Sequence, residues 1–126
     1  SSGTVSGTFG TYHAASDLRL KKDIVTIPNA LEKVLALRGV NFRWKDPNQD
    51  HGVRIGLIAQ EVEKVVPEVV HTSNDEIKTK AVEYEQLIGL LVEAVKAQRT
   101  QIEGLKSKNA DFEMRLKALE AKVGLR

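Results

Sequence analysis

Residues Ile88, Leu91, Val95, Gln98, Ile102, Leu105, Asn109, Phe112, Leu116, Leu119 and Val123 follow one another in alternating steps of three and four. That spacing is the 3.5-residue period of a left-handed coiled coil. A stripe this narrow leaves water only against another helix, so the pattern predicts an oligomer before it predicts any chemistry. The helix that carries it runs from Tyr84 to Val123, about 60 Å at 1.5 Å per residue.

With Ile88 at position a, the a set is Ile88, Val95, Ile102, Asn109, Leu116 and Val123, and the d set is Leu91, Gln98, Leu105, Phe112 and Leu119. Two polar core residues cost stability and select one register. A buried Asn is familiar from dimers, whereas Gln and Phe at d suit the roomier core of a trimer, so the seam leaves two and three copies open. Flanking e and g positions mix Arg99, Lys106, Lys108, Glu113, Arg115, Glu120 and Lys122, which offers interchain ion pairs of modest worth.

Upstream the pattern changes repeatedly. Leu18, Leu20, Ile24, Val25 and Ile27 alternate loosely up to Pro28, predicting an extended segment with a turn within Lys21 to Asp23. Pro28-Asn29 opens a helix that puts Ala30, Leu31, Val34, Leu35 and Leu37 on one face, with Gly39 as its stop. Val40, Phe42 and Trp44 alternate as a half-buried strand, followed by the polar turn Asp46 to Gly52. A short amphipathic helix over Ala59, Val62, Val65 and Val66 ends at Pro67. Val69-Val70 and Ile77 to Val82 read as hairpin strands around a turn at Asn74 to Glu76. The fold class is α+β: a small mixed head, then one long C-terminal helix.

Composition narrows the function. Aromatic residues are only 5% of the chain, which makes Phe42 and Trp44 the expected centre of a small core. Net charge is +2, with 11 basic and 12 acidic residues up to position 85 and 8 against 5 beyond it. The excess lies on the helix among acids, as a solvated face does, and does not point to nucleic acid. There is no cysteine, which excludes disulfides, thiolate chemistry and Cys-based zinc sites. No stretch approaches the roughly 18 apolar residues of a membrane helix, and no leader pattern opens the sequence, so no membrane partner is expected.

Paired carboxylates, phosphate loops and metal-spaced histidines are missing from the pattern. His13, His51 and His71 are scattered and read as surface residues, so neither metal nor cofactor is implied. Gln60, Glu61, Arg54 and Glu83 read as solvated polar positions. The one chemical candidate is Ser16-Asp17-Leu18-Arg19-Leu20-Lys21, because a lysine desolvated enough to be neutral can serve a serine as base. Five residues apart, Ser16 and Lys21 need a bend or a neighbouring chain to meet. On spacing alone, Ser16 capping a turn is the simpler reading.

The order of segments adds more than any one of them. SDLRLKKDI at 16–24, LEKVLAL at 31–37, VNFRW at 40–44, IGLIAQEVEKVVPEVV at 55–70 and VEYEQLIGLLVEAVKAQ at 82–98 occur in turn. This series resembles the C-terminal intramolecular chaperone domain of phage endosialidases, tail fibres and neck appendages, the peptidase S74 family.

The resemblance implies a parallel homotrimer that brings three copies of an upstream β-rich fibre into register and then releases itself by autoproteolysis between Ser16 and Asp17. Ser16 and Lys21 are the catalytic pair it implies. Residues 1–15 are then the end of the upstream fibre or stalk, together with any residues added for expression, 16–85 the chaperone head and 86–126 the coiled coil. It implies action in the host cytoplasm during phage assembly and absence from the finished virion.

Three other readings compete. A trimerisation module that does not cleave predicts no processing of a longer precursor. A coiled-coil adaptor that binds another protein through the helix at 55–70 predicts unsatisfied apolar surface at Ile58, Val62 and Val65 in the trimer. The related chaperone domain of a membrane-bound eukaryotic transcription factor shares the mechanism and differs only in its parent chain.

Overall fold

The computed structural model describes residues 13–124; the reading of residues 1–12 as part of a stalk end lies outside the described residues. The head consists of α1 (Ala30–Leu35), β1 (Val40–Phe42), β2 (Arg54–Gly56), α2 (Ala59–Val65), β3 (Val70–Thr72) and β4 (Lys80–Val82). A 3₁₀ turn at Tyr84–Gln86 then leads into α3 (Leu87–Lys122), whose 36 residues span about 54 Å. The α+β head and the long helix are thus as the patterning predicts.

The strands form two separate antiparallel hairpins. β1 pairs with β2 in the register Val40 to Gly56 and Phe42 to Arg54, and β3 pairs with β4 in the register Val70 to Val82 and Thr72 to Lys80. The second hairpin is shorter than Ile77 to Val82 predicts. Asp75 accepts the Thr79 backbone N–H at 2.7 Å, and Lys78 turns left-handed at φ 53°, so the loop extends to Thr79.

Burial centres elsewhere than the aromatic count suggests. The core is Ala30 and Leu31 of α1, Val62 of α2, Val66, Val69, and Leu87, Leu90 and Ala94 of α3. Val62 is 1% exposed, whereas Trp44 is 52% exposed and Phe42 half-buried. A two-stranded hairpin covers only one of its faces. On the other, the Phe42 and Trp44 rings meet edge to face at 5.1 Å beside an open groove of about 700 Å³. α1 also stops at Leu35, four residues before Gly39, and Leu35 points to solvent instead of joining the apolar face.

The first turns of α3 carry two stripes. Leu87, Leu90 and Ala94 pack onto α1, so the core of the head continues into the long helix. The predicted seam lies beside that stripe, and its nine apolar residues are each 44–63% exposed. The head therefore uses one face of α3 and leaves the heptad face open along its whole length. Val62 is buried and Val65 half-buried against the core, whereas half-buried Ile58 lines the groove beside Phe42 and Trp44.

Candidate active site on the N-terminal arm

Local hydrogen bonding decides the shape of the segment before α1. The Asp17 side chain accepts the backbone N–H of Arg19 at 2.9 Å, which turns the chain at Asp17. Leu18–Leu20 then winds into one 3₁₀ turn, closed by Leu20 N–H to the Asp17 carbonyl at 3.0 Å and Lys21 N–H to the Leu18 carbonyl at 3.2 Å. The extended segment expected over Leu18 to Ile27 is therefore replaced by a turn at its start, and Asp23, at φ 53°, bends it again. The Asx-type bond within Asp-x-Arg competes with extension and wins.

This turn is the bend that Ser16 and Lys21 require. Lys21 Nζ donates to Ser16 Oγ at 2.6 Å, so the two sequence-predicted catalytic side chains meet within one chain. Both are exposed, as is Asp17. The carboxylate of Asp17 is fully engaged: Arg19 Nε reaches Oδ1 at 3.1 Å and Nη2 reaches Oδ2 at 2.8 Å. The Arg19 guanidinium, followed by its backbone N–H, holds the Asp17 carboxyl below the usual carboxylate range, which makes it a poor proton acceptor. Lys21, rather than Asp17, is the side chain in contact with the serine.

The remaining polar positions either pair with a neighbouring side chain or stay exposed. Glu61 accepts from Arg38 Nε at 3.0 Å and Nη2 at 2.6 Å, a fork that ties the segment after α1 to α2. The Arg38 hydrogen bond lowers the Glu61 carboxyl below its ordinary value. Arg54 pairs with Asp50 at 3.3 Å, and Glu83 takes His71 as its partner. Gln60 is exposed at the edge of the Phe42–Trp44 groove. Among the described residues, no group of three or more His, Asp or Glu side chains surrounds a common metal position, and no helix is long and apolar enough to cross a membrane. Sequence reasoning passed over Arg19 and Arg38; the two-residue Asp17–Arg19 spacing was a signal for the first, and nothing local signals the second.

Residues 16–71 match the family described as peptidase S74, chaperone of endosialidase, and the match begins on Ser16. This segment of the chain belongs to that family. Three relatives are long tail fibre proteins Gp37. That of Escherichia phage AR1 is 35% identical over 88 residues, 66% of this chain and 8% of that protein. That of Enterobacteria phage T2 is 36% identical over 97 residues, 74% of this chain and 7% of that protein. That of Salmonella phage S16 is 33% identical over 100 residues, 75% of this chain and 13% of that protein. The chain thus spans a small fraction of the length of the relatives it matches.

Proposed function

We propose that this chain is the self-releasing assembly chaperone of a phage fibre. Residues 1–15 are the end of the upstream fibre, 16–85 the head and 86–126 a parallel trimeric coiled coil. Aligning three long β-rich chains is a register problem, because pairings slip and non-local contacts form slowly. Joining the three ends through α3 raises their effective concentration and fixes their stagger. The open heptad face of α3 supports association, and the family match with the Gp37 relatives supports a fibre as the client. The reading implies action in the host cytoplasm and loss of residues 17–126 from the virion.

The observation that carries the cleavage is the 2.6 Å contact of Lys21 Nζ with Ser16 Oγ at the first residue of the family match. Cutting the Ser16–Asp17 bond adds one water. Its oxygen ends on the Ser16 carboxylate, the C–N bond breaks, and the Asp17 nitrogen leaves as an amine with a proton. Lys21, once neutral, takes the proton of the attacking oxygen and returns one to that nitrogen. Attack by Ser16 Oγ on its own carbonyl closes a strained four-membered ring, so a water held by the pair is the less strained nucleophile.

In the exposed arm the lysine donates to the serine, opposite to the polarity of a base. In this reading the cut follows association, and it makes assembly irreversible because the freed fibre no longer exchanges through the chaperone.

Expression behind a β-rich upstream segment tests this reading. Mass spectrometry is expected to find a new C-terminus at Ser16 and light scattering three copies. Ser16→Ala and Lys21→Ala are each expected to leave the precursor whole and still trimeric. Normal cleavage in both variants would overturn the role of the pair, and a wild-type chain that trimerises uncut would identify a non-cleaving module.

A further inference from the structure

Ser16 and Lys21 are not brought together by any regular structure. In a strand they stand about 16 Å apart at roughly 3.3 Å per residue. In an α-helix five residues rotate the second side chain about 140° away from the first. Only the 3₁₀ turn between them makes the 2.6 Å contact, and packing does not hold that turn. Leu18 and Leu20 are 73% and 77% exposed, and none of the turn's residues is buried.

What spans the turn is Arg19. Its backbone N–H, Nε and Nη2 all go to the Asp17 carboxylate, at 2.9, 3.1 and 2.8 Å. Among the described residues the guanidinium has no other hydrogen-bond partner. The fork closes the first half of the turn and leaves the backbone of Lys21 extended, at φ −114° and ψ 149°, with its side chain directed back to Ser16. The same fork occupies both oxygens of the carboxylate next to the scissile bond, which removes it as a competing partner for Lys21.

We propose that Arg19 is a positioning residue for the Ser16–Lys21 pair, acting by clamping Asp17. This rests on the reading of that pair as the cleaving one. Arg19 touches neither the serine nor the lysine; it sets the turn that lets them meet. Lysine at this position keeps the charge but lacks the planar fork, so it replaces arginine only in part.

Two measurements on the full chain with its upstream segment test the clamp. In the first, Arg19→Ala is expected to slow cleavage about tenfold, and Arg19→Lys to recover about half of that loss on a logarithmic scale. Thermal melting is expected to stay in place, because none of the turn's residues is buried. In the second, Ser16→Ala keeps the chain whole, and nuclear Overhauser contacts between the α proton of Asp17 and the amide proton of Leu20 report the turn itself. Adding Arg19→Ala is expected to remove them and Arg19→Lys to restore them in part. Persistence of both contact and rate in Arg19→Ala would overturn the proposal. If the wild-type chain is not cut at all, the cleaving reading fails, and the Overhauser contacts still decide whether Arg19 shapes the turn.

Discussion

Tyr84 Oη lies 2.9 Å from where a Cβ on Gly56 would stand, and it accepts the backbone N–H of Leu57 at 3.1 Å. The contact joins the entry of the long helix to the end of β2, with Phe42 as the third partner at 3.2 Å from the same point. Gly56→Ala is expected to push the tyrosine off Leu57 and destabilise the head by about 1 kcal/mol. Because Tyr84 is half exposed and can swing away, the cost is limited. Tyr84→Phe is expected to cost less in the Gly56→Ala background than in the wild type, a coupling that a double-mutant cycle by chemical denaturation measures.

The two stripes of α3 give separable outcomes. Leu90 is 3% exposed in the core of the head, and Leu90→Ala is expected to cost about 3 kcal/mol of head stability at any protein concentration. Ile102 lies on the open heptad face with nothing from the head against it. Ile102→Ala is expected to leave that core intact and to lower association instead, seen as a melting temperature that depends more steeply on concentration.

Much of this was legible beforehand because periodicity is a local property. The head-then-helix order and the heptad follow from spacing, whereas Ser16 and Lys21 as a catalytic pair are what the family resemblance implies. The position of the core did not. Phe42 and Trp44 are the largest apolar side chains in the head, yet a lone hairpin cannot cover them, and the buried centre is the aliphatic cluster that Val62 shares with α1 and the first turns of α3. A signal for that was present: Leu87 and Leu90 lie off the seam, so the start of the helix is apolar over more than one face, as a buried helix is. The 3₁₀ turn was hidden for the opposite reason. It depends on side-chain hydrogen bonds of Asp17 that an apolar pattern does not record.

Gln98 and Asn109 interrupt the seam and are exposed in the single chain. In the proposed trimer they cost stability and select one register. Replacing both with leucine is expected to raise the melting temperature of the assembly and to broaden its copy number beyond a single species. Sedimentation equilibrium on wild type and double variant checks this; an unchanged single species in the variant would show that the two polar residues do not choose the register.

Acid should loosen the head in a defined way. Glu61 is held below its ordinary 4.5 by the hydrogen bond from Arg38. Asp75 is held below its ordinary 3.8 by the hydrogen bonds from Thr79. In both cases the unfolded chain binds the proton more readily than the folded one, so stability rises with pH across this range. The contributions are complete above the ordinary values and are lost as the pH falls through the lower folded ones. Thermal melts between about pH 6 and about pH 3 are expected to show this decline. Glu61→Gln is expected to flatten its upper part and Asp75→Asn its lower part. Raising the salt is expected to weaken the Glu61 component more than the Asp75 one, because Arg38 and Glu61 are an exposed ion pair whereas Thr79 is neutral. If Glu61→Gln leaves the upper part of the curve as steep as in the wild type, the Arg38 fork does not contribute to joining α1 and α2.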